Sequence, residues 1–198
     1  MSTAGEISGR KDEVRHPLDW YIEPEWAVTA LLDAYPFFGI SWDPCAGSGN
    51  IPRTMRSRGL VCHGTDLVDR GHCDGLIGGV DFTSPIASCA AFVAGPVDSI
   101  IMNPPYRQAE TFVRQALKIA RRNVAALVQA KFLYSQTRHA LFKQFPPWAI
   151  FHLSRRPSMP PGEMLMSGAI KAAGGKLDFS WVVWRTDQRR ATITSWLK

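Results

Sequence analysis

The residues best placed to do chemistry are Asn103-Pro104-Pro105-Tyr106, directly behind the run Val97-Asp98-Ser99-Ile100-Ile101-Met102. Two consecutive prolines restrict the backbone where a buried strand is expected to stop, so Asn103 and Tyr106 are held at a strand's carboxyl end. Open α/β sheets bind their ligands at such ends. The Asn103 amide offers an acceptor oxygen, and the Tyr106 ring offers a flat face for a planar group. Upstream lies the turn Asp43-Pro44-Cys45-Ala46-Gly47-Ser48-Gly49-Asn50. Its glycines let the backbone approach a ligand without a Cβ in the way. Roughly 20 residues further on comes Asp66, at the distance where a βαβ unit presents a carboxylate to the hydroxyls of a bound ribose. A plain surface-loop carboxylate is the alternative. Asp81 and Phe82 repeat the scheme at another expected strand end, an acid and an aromatic suited to an adenine amino group and ring face. Asp81 fits a cap or turn role equally well.

These residues need elements to position them. Pro24 in the first turn, Glu25 beside it and apolar residues at helical spacing predict a helix over Glu25 to Tyr35, ending before Pro36. A short strand Gly39–Trp42 enters the glycine turn and a helix Ile51–Arg58 leaves it. Apolar strands are expected at Leu60–Asp66, Leu76–Phe82, Val97–Met102, Val124–Val128, Ile150–Leu153 and Leu177–Trp184. Between them, Gln108–Arg121 has the apolar spacing of a covering helix, and Ser135–Phe145 reads as another with Ser135 as its cap. Pro85–Gly95 is an Ala-rich connector. Ser154–Lys176 is rich in Arg, Pro, Gly, Ser and Met without a period and reads as a long loop. Arg155, Arg156 and Lys171 in it are candidates for phosphate contacts, a solvated basic loop being the alternative. Alternating strand and helix predicts a mostly parallel sheet, seven-stranded, with helices on both faces.

The 198 residues fit one domain, expected over 16–198 after a disordered polar lead at 1–15. A composition 45% hydrophobic and 20% charged, with no apolar run near the roughly 20 residues that span a bilayer, predicts a cytoplasmic protein with no membrane partner. The four cysteines then read as reduced thiols. The pairs Cys62-His63 and His72-Cys73 are not expected to bind zinc, since neighbours on a strand point to opposite faces and the spacing matches no tetrahedral set. A net charge of +6 favours an anionic partner such as nucleic acid.

In this order and spacing, the glycine turn, Asp66, Asp81 and Asn103-Pro104-Pro105-Tyr106 resemble the S-adenosylmethionine-dependent amino-methyltransferases, above all the N6-adenine DNA methyltransferases. The resemblance runs from about Tyr21 to Phe132. It implies a Rossmann-like class I methyltransferase fold, with a catalytic core over about 20–132. It also implies a cofactor site in which Asp43, Cys45, Ala46, Gly47 and Gly49 shape the methionine end, Asp66 with Leu67 holds the ribose, and Asp81 with Phe82 the adenine. Tyr21 and Pro24 match the family's N-terminal cofactor motif, although Glu23 stands where Thr is usual. The implied mechanism is direct transfer: the target amine donates hydrogen bonds to the Asn103 side chain and the Pro104 carbonyl, and Tyr106 stacks on a base flipped from the duplex. No metal or covalent nucleophile is implied, so Cys45 is expected to be a small packed residue. Only about Phe132 to Lys198 follows the catalytic motif, which implies short or relaxed DNA specificity, as in phage-like enzymes. An RNA adenine or guanine target, a protein glutamine, cytosine N4 and a non-catalytic binding module are the rival readings.

Overall fold

The computed structural model describes residues 19–71, 75–85, 93, 95–172, 174–187 and 191–198. The lead at 1–15, the His72-Cys73 pair, Cys89 and most of the Ala-rich connector lie outside them. The strands are β1 (Ile40–Asp43), β2 (Val61–Thr65), β3 (Leu76–Ile77), β4 (Ser99–Met102), β5 (Asn123–Gln129), β6 (Ala149–Leu153), β7 (Phe179–Arg185) and β8 (Ile193–Leu197). They form one sheet in the order β3-β2-β1-β4-β5-β7-β6-β8. β7 is antiparallel to both its neighbours, and the other pairings are parallel.

The helices are α1 (Glu25–Ala34), α2 (Asn50–Ser57), α3 (Ala109–Ile119), α4 (His139–Gln144) and α5 (Gly162–Met166). Residues of the sheet alternate between two cores, as the pleat requires. Ile100, Val124, Val182 and Trp184 pack with Phe112 of α3 and Leu141 of α4, whereas Ile101, Ala125, Trp181 and Val183 pack with Val28 and Leu31 of α1 and Met55 of α2. Buried polar groups stitch the layers. Tyr35 donates to Asn123 Oδ1 at 2.7 Å, Asn123 Nδ2 donates to Ser99 Oγ at 3.1 Å, and the Trp181 indole donates to the Ala27 carbonyl at 2.8 Å.

Four expectations need correction. The sheet has eight strands, because the tail after Arg185 returns as β8 along the edge of β6, with only Leu197 buried. β3 is two residues long, so Asp81 and Phe82 sit in the turn beyond it. The helix expected from Ser135 is a 3-10 turn (Gln136–Arg138) followed by α4, and the Ser135 hydroxyl pairs with Thr137 Oγ1 instead of capping. The long loop 154–176 contains α5, one turn of helix begun by Pro161. Among the described residues no helix is long and apolar enough to cross a membrane.

Candidate active site

Parallel pairing of β1 with β2 and with β4, Asp43 opposite Gly64 and Trp42 opposite Ile100, brings three carboxyl ends to one edge of the sheet. The chain leaves β1 and β4 toward opposite sides of the sheet order, and that switch point opens a crevice. A cleft of about 240 Å³ lies there. Tyr21, Cys45, Ala46, Gly47, Asp66, Leu67, Asp81, Phe82, Asn103 and Pro105 line it, so the structure brings together most of the residues singled out in the sequence. Pro24, Asp43, Gly49, Pro104 and Tyr106 do not line it.

Each part of the wall has a local cause. Gly47 adopts φ +55°, and a Cβ there would come 2.5 Å from the Trp20 indole nitrogen, so only glycine admits this approach. Asp66 locks the turn from the neighbouring strand: its Oδ2 accepts the Gly47 N–H at 2.8 Å and its Oδ1 the Val68 N–H at 2.9 Å. Asp43 is buried behind the turn and accepts the Cys45 N–H at 3.2 Å. Asp81 closes its own turn by accepting from the Thr83 N–H at 2.8 Å and the Thr83 hydroxyl at 2.7 Å, and these bonds hold its carboxyl below the usual range. Phe82 is almost fully buried, edge-on to Trp42 and tilted against Phe112.

The roof of the cleft is a strap over residues 19–23, which the sequence reading largely missed. Trp20 leans on Gly47 and on Gly162 of α5, and Arg70 lies 3.7 Å above its ring. The strap is tied to the long loop by Gly162 N–H to Trp20 O at 3.0 Å and Ile22 N–H to Pro160 O at 3.1 Å. It is tied to α2 by the Asn50 side-chain amide, which donates to the Glu23 carbonyl at 2.8 Å. Asp19, Trp20, Glu23 and Arg70 all line the cleft. Glu23 meets Asn50 and Asn103 across 27 and 80 positions and Asp19 meets Arg107 across 88, and local pattern carries no such information; the one signal was the departure at Glu23.

Asn103 sits where strap and sheet meet. Its Nδ2 donates to the Tyr21 carbonyl at 3.0 Å and to Glu23 Oε2 at 3.0 Å. Two acceptors fix which end of the amide carries hydrogen. Asn103 Oδ1 is therefore an acceptor, buried and without a partner. Asp19 Oδ1 and Arg70 Nε, also on the cleft wall, are in the same state. Orphaned buried polar atoms are rare in folded proteins, and three in one cleft mark a site built for a polar ligand.

The charges point the same way. Burial pushes the Glu23 carboxyl up to about 7. It raises Asp43 well above the carboxylate range, with Glu23 adding to the effect, and raises the Cys45 thiol beside them. Crowded acids in low dielectric favour a cationic guest. Among the described residues no group of His, Cys, Asp or Glu is arranged to hold a metal ion.

Tyr106 forms a second feature beside the cleft. Tyr21 stacks on its ring, with centroids 5.3 Å apart and planes 14° apart, and Phe179 packs at 5.9 Å. Burial pushes its hydroxyl well above the usual tyrosine range. A small hollow runs from Tyr106 to Gln129, Lys131, Phe132 and Arg138. Arg155, Arg156 and Lys171 are not brought to the cleft. Arg155 lies 5.1 Å from the Trp26 ring centre, Arg156 pairs with Asp178 at 2.8 Å, and Lys171 is exposed.

Comparison with known proteins adds the fold. A structure from Agrobacterium tumefaciens described as a "predicted O-methyltransferase" matches with a TM-score of 0.57 at 15% identity, covering 86% of this chain and 85% of that one. The fold is that of the class I methyltransferases. A "putative RNA methyltransferase" from Pyrococcus horikoshii matches with a TM-score of 0.54 at 15% identity over 81% of each chain. A "putative hemolysin" from Lactococcus lactis matches with a TM-score of 0.58 at 13% identity, covering 87% of this chain and 92% of that one. One fold thus carries differently described proteins, and activity has to be argued from the site. No family model matches the chain, and no curated protein matches its sequence.

Proposed function

We propose that the chain is an S-adenosylmethionine-dependent methyltransferase acting on the exocyclic N6 amino group of adenine in DNA, with short or relaxed sequence specificity. The observation that carries this reading is Asn103 Oδ1, a buried acceptor with no partner on the wall of the cleft, held at the end of β4 by two prolines. Such an atom calls for an N–H donor, and an amine about to be methylated is one.

The residues fit the cofactor. Asp66 spends one lone pair of each oxygen on the backbone and keeps others for ribose hydroxyls. Leu67, 55% exposed at the rim, and Phe82 offer apolar surface to an adenine, with Asp81 beside them for its amino group. Asp19 Oδ1 and Arg70 Nε offer an acceptor and a donor to an amino-acid end. When bound, the cofactor would supply an electrophilic methyl, to which the amine nitrogen would give its electron pair as the pair of the breaking carbon–sulfur bond stayed on sulfur, with the proton lost from nitrogen passing to solvent. The chain's part is to orient and to exclude water. Asn103 Oδ1 accepts an amine N–H and so aims the nitrogen lone pair. The strap covers the reacting centre, and the Tyr21–Tyr106 stack forms a shelf beside which a flipped base is received.

Incubation with labelled S-adenosylmethionine and DNA, RNA or protein tests the reading. Label in DNA, lost in Asn103→Ala, is the expected result. One structure of like fold is described as an RNA methyltransferase, and RNA presents the same amines, so label in RNA alone would move the substrate and keep the chemistry. Label in none of the three would overturn the proposal.

A further inference from the structure

Glu23 is a charged side chain that the roles above leave without chemistry of its own. It is 6% exposed, its Oε2 accepts the Asn103 Nδ2–H at 3.0 Å, and no described Lys or Arg forms an ion pair with it. A buried carboxylate without an ion-paired cation is costly, and the strap would be tied as well by a neutral acceptor. Its placement therefore needs a reason beyond stability. We propose that Glu23 is the positioning residue for Asn103: by accepting the amide N–H it fixes Asn103 Oδ1 toward the cleft and strengthens that oxygen as an acceptor for the target amine. This rests on the amine-methylation reading above.

Two effects follow from the geometry. Without Glu23, the Tyr21 carbonyl alone holds Asn103 Nδ2, and the amide can turn its nitrogen toward the substrate, where two donors would face each other. With it, a charge-assisted bond draws amide electron density onto Oδ1, because hydrogen bonds in a chain polarise one another. The amine N–H becomes more acidic as positive charge arrives on its nitrogen. The bond to Oδ1 therefore tightens in the transition state more than in the ground state. The chain is amine N–H to Asn103 Oδ1, then Asn103 Nδ2–H to Glu23 Oε2, and it needs no proton transfer to Glu23. Burial sets the Glu23 carboxyl to about 7, with Arg53 on α2 favouring its charge. Asp43 at the end of β1, Cys45 in the glycine turn and Tyr106 after β4 are the ionisable groups that feel it. The bond is therefore strong above neutrality and weak below it.

The test compares full-length wild type with Glu23→Gln, which keeps the shape and an acceptor but not the charge. Steady-state methyl transfer to DNA is followed between about pH 5.5 and 8.5, beside calorimetric binding of S-adenosylhomocysteine and NMR of the Asn103 side-chain amide. In the wild type, kcat should rise with a midpoint near 7. In Glu23→Gln that limb should flatten and kcat at the upper end should fall roughly 10- to 100-fold, with the cofactor product bound within about twofold of wild type. The Asn103 amide resonances should shift with the Glu23 titration and lose that shift in the variant. The Glu23 charge also raises the Asp43 carboxyl, so the Asn103 amide resonances, which report the bond to Glu23 directly, assign the limb. A variant with the wild-type kcat and pH profile, or Asn103 resonances indifferent to Glu23, would overturn the proposal. Wild type that methylates nothing would sink the transferase reading, while the NMR arm still decides the coupling of Glu23 to Asn103.

Discussion

Replacing Gly47 with alanine should uncouple the roof of the cleft from its floor. Gly47 has φ +55°, where a side chain costs about 1–2 kcal/mol. The added Cβ would lie 2.5 Å from the Trp20 indole nitrogen, so the ring would have to retreat by about 1 Å to reach ordinary contact. It has nowhere to go within the fold. Gly162 backs the indole on one side, where even a glycine leaves no room for a Cβ, and the Arg70 guanidinium covers it at 3.7 Å. Overpacking of this kind costs about 1–3 kcal/mol, so the total is about 2–5 kcal/mol. The cost is divided between folding and closure of the strap. If the strap stays shut, Tm should fall by roughly 2–4 °C for each kcal/mol in a chain of this size. If Trp20 swings out, the melting point is spared and the ligand loses its roof, which should weaken S-adenosylhomocysteine binding by roughly tenfold for each 1.4 kcal/mol. Calorimetric titration and a thermal melt on the same sample measure both shares. Gly47→Ala with wild-type affinity and wild-type Tm would refute the argument, since neither the left-handed backbone nor the contact with Trp20 could then be as described.

Glu23→Gln should also alter how stability depends on pH. The folded-state carboxyl is raised from 4.5 to about 7, so the folded protein holds a proton that the unfolded chain releases; stability is fully present below about 4.5 and is lost as pH rises through about 7. Denaturant titrations should show the variant gaining about 3 kcal/mol on the wild type across that window, and a constant difference would contradict the assignment. Tyr35→Phe leaves Asn123 Oδ1 buried without its donor and should cost about 1–3 kcal/mol by the same measurement. Combined replacement of Arg155, Arg156 and Lys171 by alanine should lower the slope of log affinity for DNA against log salt by up to about 3, whereas Arg156→Ala alone, breaking an exposed pair with Asp178, should change stability by less than about 1 kcal/mol. An unchanged salt slope would remove the long loop from the DNA interface.

What the sequence revealed and what it hid have physical causes. α1 was legible because Pro24 and Pro36 bracket an apolar period, and β4 and β5 because strands buried on both faces are nearly all apolar. The convergence of the glycine turn, Asp66 and Asn103 followed from the order of these units. β8 was missed because it is an edge strand with Ile193, Thr194 and Trp196 exposed, so it carries no buried face to read. α5 hid in a segment of Pro, Gly and Ser because one turn of helix has no period. Asp81 was placed at a strand end that the chain reaches four residues earlier, and its carboxyl serves its own turn. Asp19, Trp20 and Arg70 became visible only when the strap crossed the cleft, since partners that lie tens of positions apart leave no local trace. Tyr106 was expected to present a free face and instead carries Tyr21 on it.

The central claim is that Asn103 Oδ1 receives an adenine amine. Its most direct test is mass spectrometry of nucleosides from DNA incubated with the wild-type chain and isotopically labelled S-adenosylmethionine. The account predicts labelled N6-methyladenosine in its deoxy form from wild type and none from Asn103→Ala, with both proteins still binding S-adenosylhomocysteine. Labelled nucleoside produced equally by Asn103→Ala, or label found on oxygen, carbon or a protein side chain, would contradict it.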